Sequence, residues 1–224
     1  MLTDDNFGLG ERMNDLCDEL IKRGFSDDIT CFMQARCDDV VRNLNLLPKM
    51  CKVGIDWLLL GVKSHSKTAL ENFKKGTKPE DAKAAVKLLN ENGIFSQATC
   101  IIGERKDSAK SIANLREFVN DLDPGLAIFM ILTPYPGTDL FEEAERNGWI
   151  EEWNWANYDM LNAVMPTETL SRNEVQEELY KCYRSFFGSW RKRLLGVFSD
   201  KKIKRRMYRY MAGQNVIRQL KSLV

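Results

Sequence analysis

At 224 residues, 44% hydrophobic and 29% charged, the chain is long enough for one sizeable core and too mixed for a disordered or fibrous polypeptide. No apolar run approaches the roughly 18 residues that cross a bilayer, and acids rather than Lys or Arg follow Met1, so the expected compartment is the cytoplasm. The net charge of +1 conceals a split: residues 181–224 carry 13 Lys and Arg against Asp200 alone, while the remainder holds 20 basic and 31 acidic side chains.

In chain order, "ERMNDLCDELIKRG" sets Met13, Leu16, Cys17, Leu20 and Ile21 at helical spacing and stops at Gly24. "DITCFMQARCD" reads as a strand, "NLLPKMCKVG" as a short helix ending at Gly54, and "IDWLLLGV" as a buried strand. "GTKPEDAKAAVKLLNENG" starts a helix with Thr77 three residues before Glu80 and Pro79 in the first turn. Its apolar stripe is Ala82, Ala85, Val86 and Leu89, and Gly93 ends it ahead of the strand "IFSQATCIIG". A further helix carries Ile112, Leu115, Val119 and Leu122 on one face and leads through Gly125 into the strand "LAIFMIL". Helix, glycine, buried strand thus recurs four times, each glycine suiting the left-handed conformation that closes a helix. Strands this apolar, separated by helices, predict an α/β fold built on a parallel sheet.

From residue 149 the texture changes. "WIEEWNWANYD" suits either a packing cap over one end of the sheet or a wall facing substrate. Ser171 and Glu174 form a capping box opening a helix through Val175, Leu179, Tyr183, Phe186 and Trp190, and a basic tail follows. The expected division is 1–148 for the sheet unit and 149–224 for the aromatic cap and helical extension.

Parallel α/β sheets place chemistry at the carboxyl ends of their strands. Those ends are "QARCD", "GVKSHS", "IIGERKDS" and "TPYPGT". Six cysteines, at 17, 31, 37, 51, 100 and 182, lack the short spacings of a zinc or iron-sulfur site and read as free thiols.

Together with "DDNF" near the start, "KKGT" to "NGI" and "ILTPYPGTDLFEEAERNGWI", these strand ends resemble the radical S-adenosylmethionine enzymes. The likeness is to the cobalamin-binding branch that includes an anaerobic magnesium-protoporphyrin IX monomethyl ester cyclase. The resemblance implies an incomplete parallel (β/α) barrel, four strands of six, followed by a C-terminal helical extension. It places "DDNF" after the second barrel strand, with the CxxxCxxC loop of the 4Fe-4S cluster and any cobalamin domain earlier still. It implies S-adenosylmethionine and a 4Fe-4S cluster as cofactors, cobalamin in the longer parent protein, and a small-molecule substrate of tetrapyrrole-like type. Because the cluster loop is absent, the isolated chain is expected to be inactive until completed by an upstream polypeptide. By the same resemblance Arg36 and Asp38 reach the methionine moiety or the substrate. Ser64 belongs to the ribose-binding strand end, where Lys63 stands in place of a usual Glu and cannot accept from ribose hydroxyls. Gly103 approaches adenine with its backbone, and Thr133, Pro134 and Tyr135 pack on the adenine ring. No catalytic residue is identified, and no metal ligand.

A different reading stays open beside this one. "KKIKRRMYRYM" interleaves aromatics with cations, which suits an anionic membrane surface or RNA, against a solvated helix lying on the acidic sheet unit. An exposed sheet edge also predicts self-association or a partner.

Overall fold

The computed structural model describes residues 7–24, 30–63 and 78–221. The helices are α1 (Glu11–Lys22), α2 (Cys37–Arg42), α3 (Leu47–Lys52), α4 (Pro79–Glu91), α5 (Ala109–Leu122), α6 (Asp139–Arg146), α7 (Arg172–Phe187), α8 (Trp190–Val197) and α9 (Lys202–Lys221). The strands are β1 (Cys31–Ala35), β2 (Ile55–Lys63), β3 (Phe95–Ile102) and β4 (Leu126–Ile131). They form one parallel sheet in the order β1-β2-β3-β4.

Sequential order matters. Right-handed crossovers between neighbouring parallel strands, taken in the same direction each time, put every connecting helix on one face. The sheet is therefore an arc of a barrel rather than a doubly wound sandwich. The helix-covered face holds Leu58, Leu60, Ala98, Cys100, Ile102, Ala127, Phe129 and Ile131, packed with the predicted stripes of α4 and α5. The other face carries the alternate residues. At its lower end Phe32, Trp57 and Phe95 meet edge to face, at 5.6 and 5.2 Å between ring centroids.

Gly24, Gly54 and Gly93 take positive φ at the predicted helix ends. Gly125 does not. There the left-handed residue is Asp123 (φ 44°), the cap of α5, and Gly125 serves close approach instead: a Cβ would stand 2.4 Å from Cε2 of Phe95. Three other expectations shift. β1 stops at Ala35, and Cys37 and Asp38 already belong to α2. The cap of α4 is Lys78, whose backbone N–H donates to Asp81 at 2.8 Å; Thr77, expected to open the helix with Glu80, lies outside the described residues. The helix expected to reach Trp190 ends at Phe187; Ser189 caps a new one, its Oγ accepting from Lys192 N–H.

α7 continues the helix layer. Val175, Leu179, Cys182 and Phe186 lie in the same core as the sheet. Its Glu178, with 4% of the side chain exposed, accepts from Arg116 of α5 and from Lys181. α7 and the preceding segment also occupy the outer edge of β4: Tyr183 Oη donates to Phe129 O at 2.8 Å, and Ile131 N–H donates to Met160 O at 2.7 Å. Among the described residues no strand pairs with the outer edge of β1. A smaller core under the cap joins Ala144, Ile150, Tyr158, Val164 and Met165.

Candidate functional site

The four strand ends stand side by side in sheet order, so the described residues singled out in sequence share one rim. Each described one is held there by contacts of its own.

At β1, Arg36 donates from Nε and Nη2 to the two oxygens of Asp38, at 3.0 and 3.1 Å. Arg42 adds a bond to Asp38 at 2.8 Å and one to Asp39 at 2.6 Å. Burial alone would raise the Asp38 carboxyl, but the Arg36 bond and the charges of Arg36 and Arg42 outweigh it and hold it below the usual range. Asp38 also raises the Arg36 guanidinium. The two residues form a fixed ion pair at the mouth of α2, with Arg36 the more exposed member. β2 brings Lys63 to the rim, in register with Cys100 of β3. Ser64 lies outside the described residues, as does most of "DDNF".

At β3 the amide of Gly103 is already engaged. Asp107 Oδ2 accepts from the N–H groups of Gly103 (2.9 Å) and Glu104 (3.1 Å), while its Oδ1 accepts from Ser111. Gly103 has φ +83°, and a Cβ there would come within 3.3 Å of Ile131 and Val175. Its glycine character is thus required by backbone conformation and by α7. Sequence reasoning missed Asp107, which shapes this loop; the run Asp107-Ser108 ahead of α5, a pair of turn-forming residues, was the available signal.

Beyond β4, Thr133 and Pro134 are buried, and Thr133 Oγ1 donates to Ile131 O at 3.1 Å. Tyr135 is half exposed; its hydroxyl donates to Tyr158 O at 2.9 Å. Tyr135-Pro136-Gly137-Thr138 makes a tight turn closed by Thr138 N–H to Tyr135 O at 3.1 Å, with Gly137 at φ +81°. Thr138 then caps α6. The cap segment is strapped to the same rim: Arg105 donates to Pro166 O at 2.7 Å and stacks 4.2 Å over Trp149. Within "WIEEWNWANYD", Tyr158 is buried while Trp153 and Trp155 stay half exposed, Trp155 lying 4.7 Å from Tyr158.

Below the rim lies the face opposite the layer of α4 and α5. Above its aromatic layer come Leu59, Gly61, Thr99, Ile101, Ile128 and Met130, and all but Thr99 are only half-buried. Gly61 pairs with Thr99, so the strand centre presents no side chain there. This is an apolar, partly open floor beneath a polar rim.

Thiols do not converge on it. All six cysteines are free; Cys17, Cys37, Cys100 and Cys182 are buried, and burial pushes Cys37 up to about 12 and Cys182 to about 11. No three His, Cys, Asp or Glu side chains among the described residues come together as metal ligands. A 4Fe-4S cluster needs converging thiolates. The described residues do not fit one, and the chemistry assigned to this chain runs through none.

No family model matches the chain. It is 29% identical over 173 residues to the anaerobic magnesium-protoporphyrin IX monomethyl ester cyclase of Rubrivivax gelatinosus, covering 77% of this chain and 30% of that protein. It is 26% identical over 197 residues to the bacteriochlorophyllide d C-8(2)-methyltransferase of Chlorobaculum tepidum, covering 87% of this chain and 43% of the relative. Among solved structures, the cobalamin-dependent S-adenosylmethionine radical enzyme OxsB superposes with a TM-score of 0.57 at 18% identity, over 92% of this chain and 36% of that one. Coproporphyrinogen III oxidase from Escherichia coli gives 0.55 at 17% identity, over 79% and 36%. At such identities these structures establish the fold, and it is the barrel arc expected from sequence. The chain spans about 30% of the length of the cyclase relatives it matches, and its fold is that of radical S-adenosylmethionine enzymes of known structure.

Proposed function

We propose that this chain forms one wall of the reaction chamber in a radical S-adenosylmethionine enzyme acting on a large, mainly apolar substrate of tetrapyrrole-like type. The observation that carries the reading is a 173-residue match to a cyclase, in a chain whose four strand ends make one rim above an open apolar floor. The cyclase and the bacteriochlorophyllide methyltransferase are both named for tetrapyrrole substrates.

The adenosyl group of S-adenosylmethionine suits the floor at Gly61, where the missing side chain leaves room for a flat ring between Leu59 and Ile101. When bound, that cofactor supplies an activated sulfonium carbon. This chain's residues hold and screen it: Ile128 and Met130 exclude water from below, and the turn at Pro136-Gly137 fixes the rim. Arg36, balanced by Asp38 yet partly exposed, is the cation best placed to meet a carboxylate of the cofactor or substrate. Cluster and cobalamin sites belong, on this reading, to the part of such an enzyme that this chain does not span.

Equilibrium dialysis with labelled S-adenosylmethionine tests the wall directly. Binding at or below about 1 mM, abolished by Gly61→Val but unaffected by Lys106→Ala, is the expected result. No binding, or equal binding by Gly61→Val, sinks the assignment of the floor. Anaerobic reconstitution with iron and sulfide should leave the chain without a stoichiometric cluster.

A further inference from the structure

The basic tail is more than a run of charge. α8 and the residue that follows it present Trp190 (74% exposed), Leu194, Leu195 (67%) and Phe198 (72%) to solvent. At 100° per residue these four fall within one 140° sector, so they form a continuous apolar face. The opposite side is locked down. Gly196 lies so close to α9 that a Cβ would sit 2.2 Å from Cδ1 of Tyr208, Lys192 pairs with Asp123 at 2.9 Å, and Lys201 donates to Asn90 O at 2.7 Å. The apolar face is therefore held outward by packing behind it.

Cations follow it along α9. Lys202, Arg206 and Arg209 are exposed along α9 at the spacing of one helical stripe: Arg209 Nε donates to Val197 O of α8 at 3.2 Å, while Lys202 and Arg206 border a cavity with Trp57 and Tyr210. Among the described residues none of these three forms an ion pair with an acid, and Asp200 is the only acid between 181 and 224. Both anchors of the tail, Asp123 and Asn90, sit at the ends of α5 and α4 that feed the amino ends of the strands. The patch thus lies at the end of the sheet away from the rim.

We propose that this face is a peripheral membrane-docking surface for anionic lipid. Trp190, Leu194, Leu195 and Phe198 enter the headgroup region, and Lys202, Arg206 and Arg209 meet the phosphates. Charge complementarity selects the occupant: an acidic protein would satisfy the cations, but two leucines and two aromatics side by side ask for acyl chains. RNA is disfavoured because leucines offer no stacking surface to bases. No described helix is long and apolar enough to cross a bilayer, so the surface lies on the membrane rather than through it. Docking at this end leaves the rim facing away from the lipid.

The full chain should float with vesicles of phosphatidylcholine containing phosphatidylglycerol and stay behind with phosphatidylcholine alone. Raising salt from about 0.1 M to about 1 M shortens the Debye length from about 10 Å to about 3 Å and should release it. Leu195→Ser with Phe198→Ser should lower partitioning roughly a hundredfold. Each of Lys202→Gln and Arg206→Gln should lower it roughly fivefold. These side chains are exposed, so an unchanged circular dichroism spectrum verifies folding. Equal binding to neutral vesicles overturns the proposal. So does a dimer dissolved by the serine pair without vesicle binding, or a salt-sensitive RNA shift in a chain that ignores vesicles.

Discussion

Replacing Arg116 tests whether the C-terminal helices and the barrel arc stand or fall together. Glu178 of α7 is a nearly buried carboxylate, and its more buried partner, Arg116 of α5, has 19% of its side chain exposed. The second partner, Lys181, is 46% exposed and bonds at 2.7 Å. Removing Arg116 takes away the more buried of two charged partners and leaves Glu178 with Lys181 alone, which costs about 1.5–3 kcal/mol. Removing Lys181 loses a solvent-screened arm worth less than about 1 kcal/mol. Replacing both Arg116 and Glu178 by leucine removes charge and partner together, which is close to neutral, within about 1 kcal/mol. Urea unfolding of Arg116→Leu, Lys181→Ala and the Arg116→Leu/Glu178→Leu double variant should thus rank with the first worst and the double largely restored, at unchanged m-values. The pH dependence has a defined sign. Burial opposes ionisation of Glu178, but Lys181 and Arg116 together hold its carboxyl below the usual range. Its contribution is complete above the unfolded carboxylate range and fades as pH falls through the folded value. The gap between the native chain and Glu178→Gln should narrow in acid. A Lys181 variant as damaging as Arg116→Leu, or a double variant at the sum of its parts, refutes this account.

Other substitutions read the fold at single points. Gly125→Ala drives a methyl into the ring of Phe95 and should cost about 1–3 kcal/mol, seen as a drop in Tm; an unchanged Tm would mean that Phe95 moves freely. Tyr183→Phe leaves Phe129 O on the edge of β4 without its donor and should cost about 1 kcal/mol, measured by the same melts. Cys37, pushed up to about 12 by burial, is thiolate in about one molecule in ten thousand at pH 8. Iodoacetamide should therefore leave Cys37 unmodified until urea unfolds the chain; rapid native labelling would contradict its packing.

Regular elements were readable because their signals are local. Period-3.6 stripes marked α4 and α5, and apolar-rich segments that follow a glycine marked β2, β3 and β4. Where the structure departs from the reading, a tertiary contact had set the outcome. Gly125 looks like Gly93 in sequence, yet one answers to φ and the other to the ring of Phe95. The end of α7 lies in a sequence whose helical periodicity continues through Trp190; a backbone break at Gly188 and Ser189 turns that tryptophan outward. At the rim the residue types were legible and their pairing was not. Arg36 and Asp38 satisfy each other, and the Gly103 amide goes to Asp107, because short-range polar groups find the nearest partner in three dimensions. The apolar face of α8 was hidden in sequence by the cations interleaved with it.

The unequal edges of the sheet bear on how copies of this chain can assemble. Tyr183 and Met160 occupy backbone groups along the outer side of β4, while β1 has no neighbouring strand among the described residues. A ribbon with two open sides can add units without limit, but one with a single open side terminates after one addition. The outer side of β4 can therefore take no further strand unless α7 peels from it.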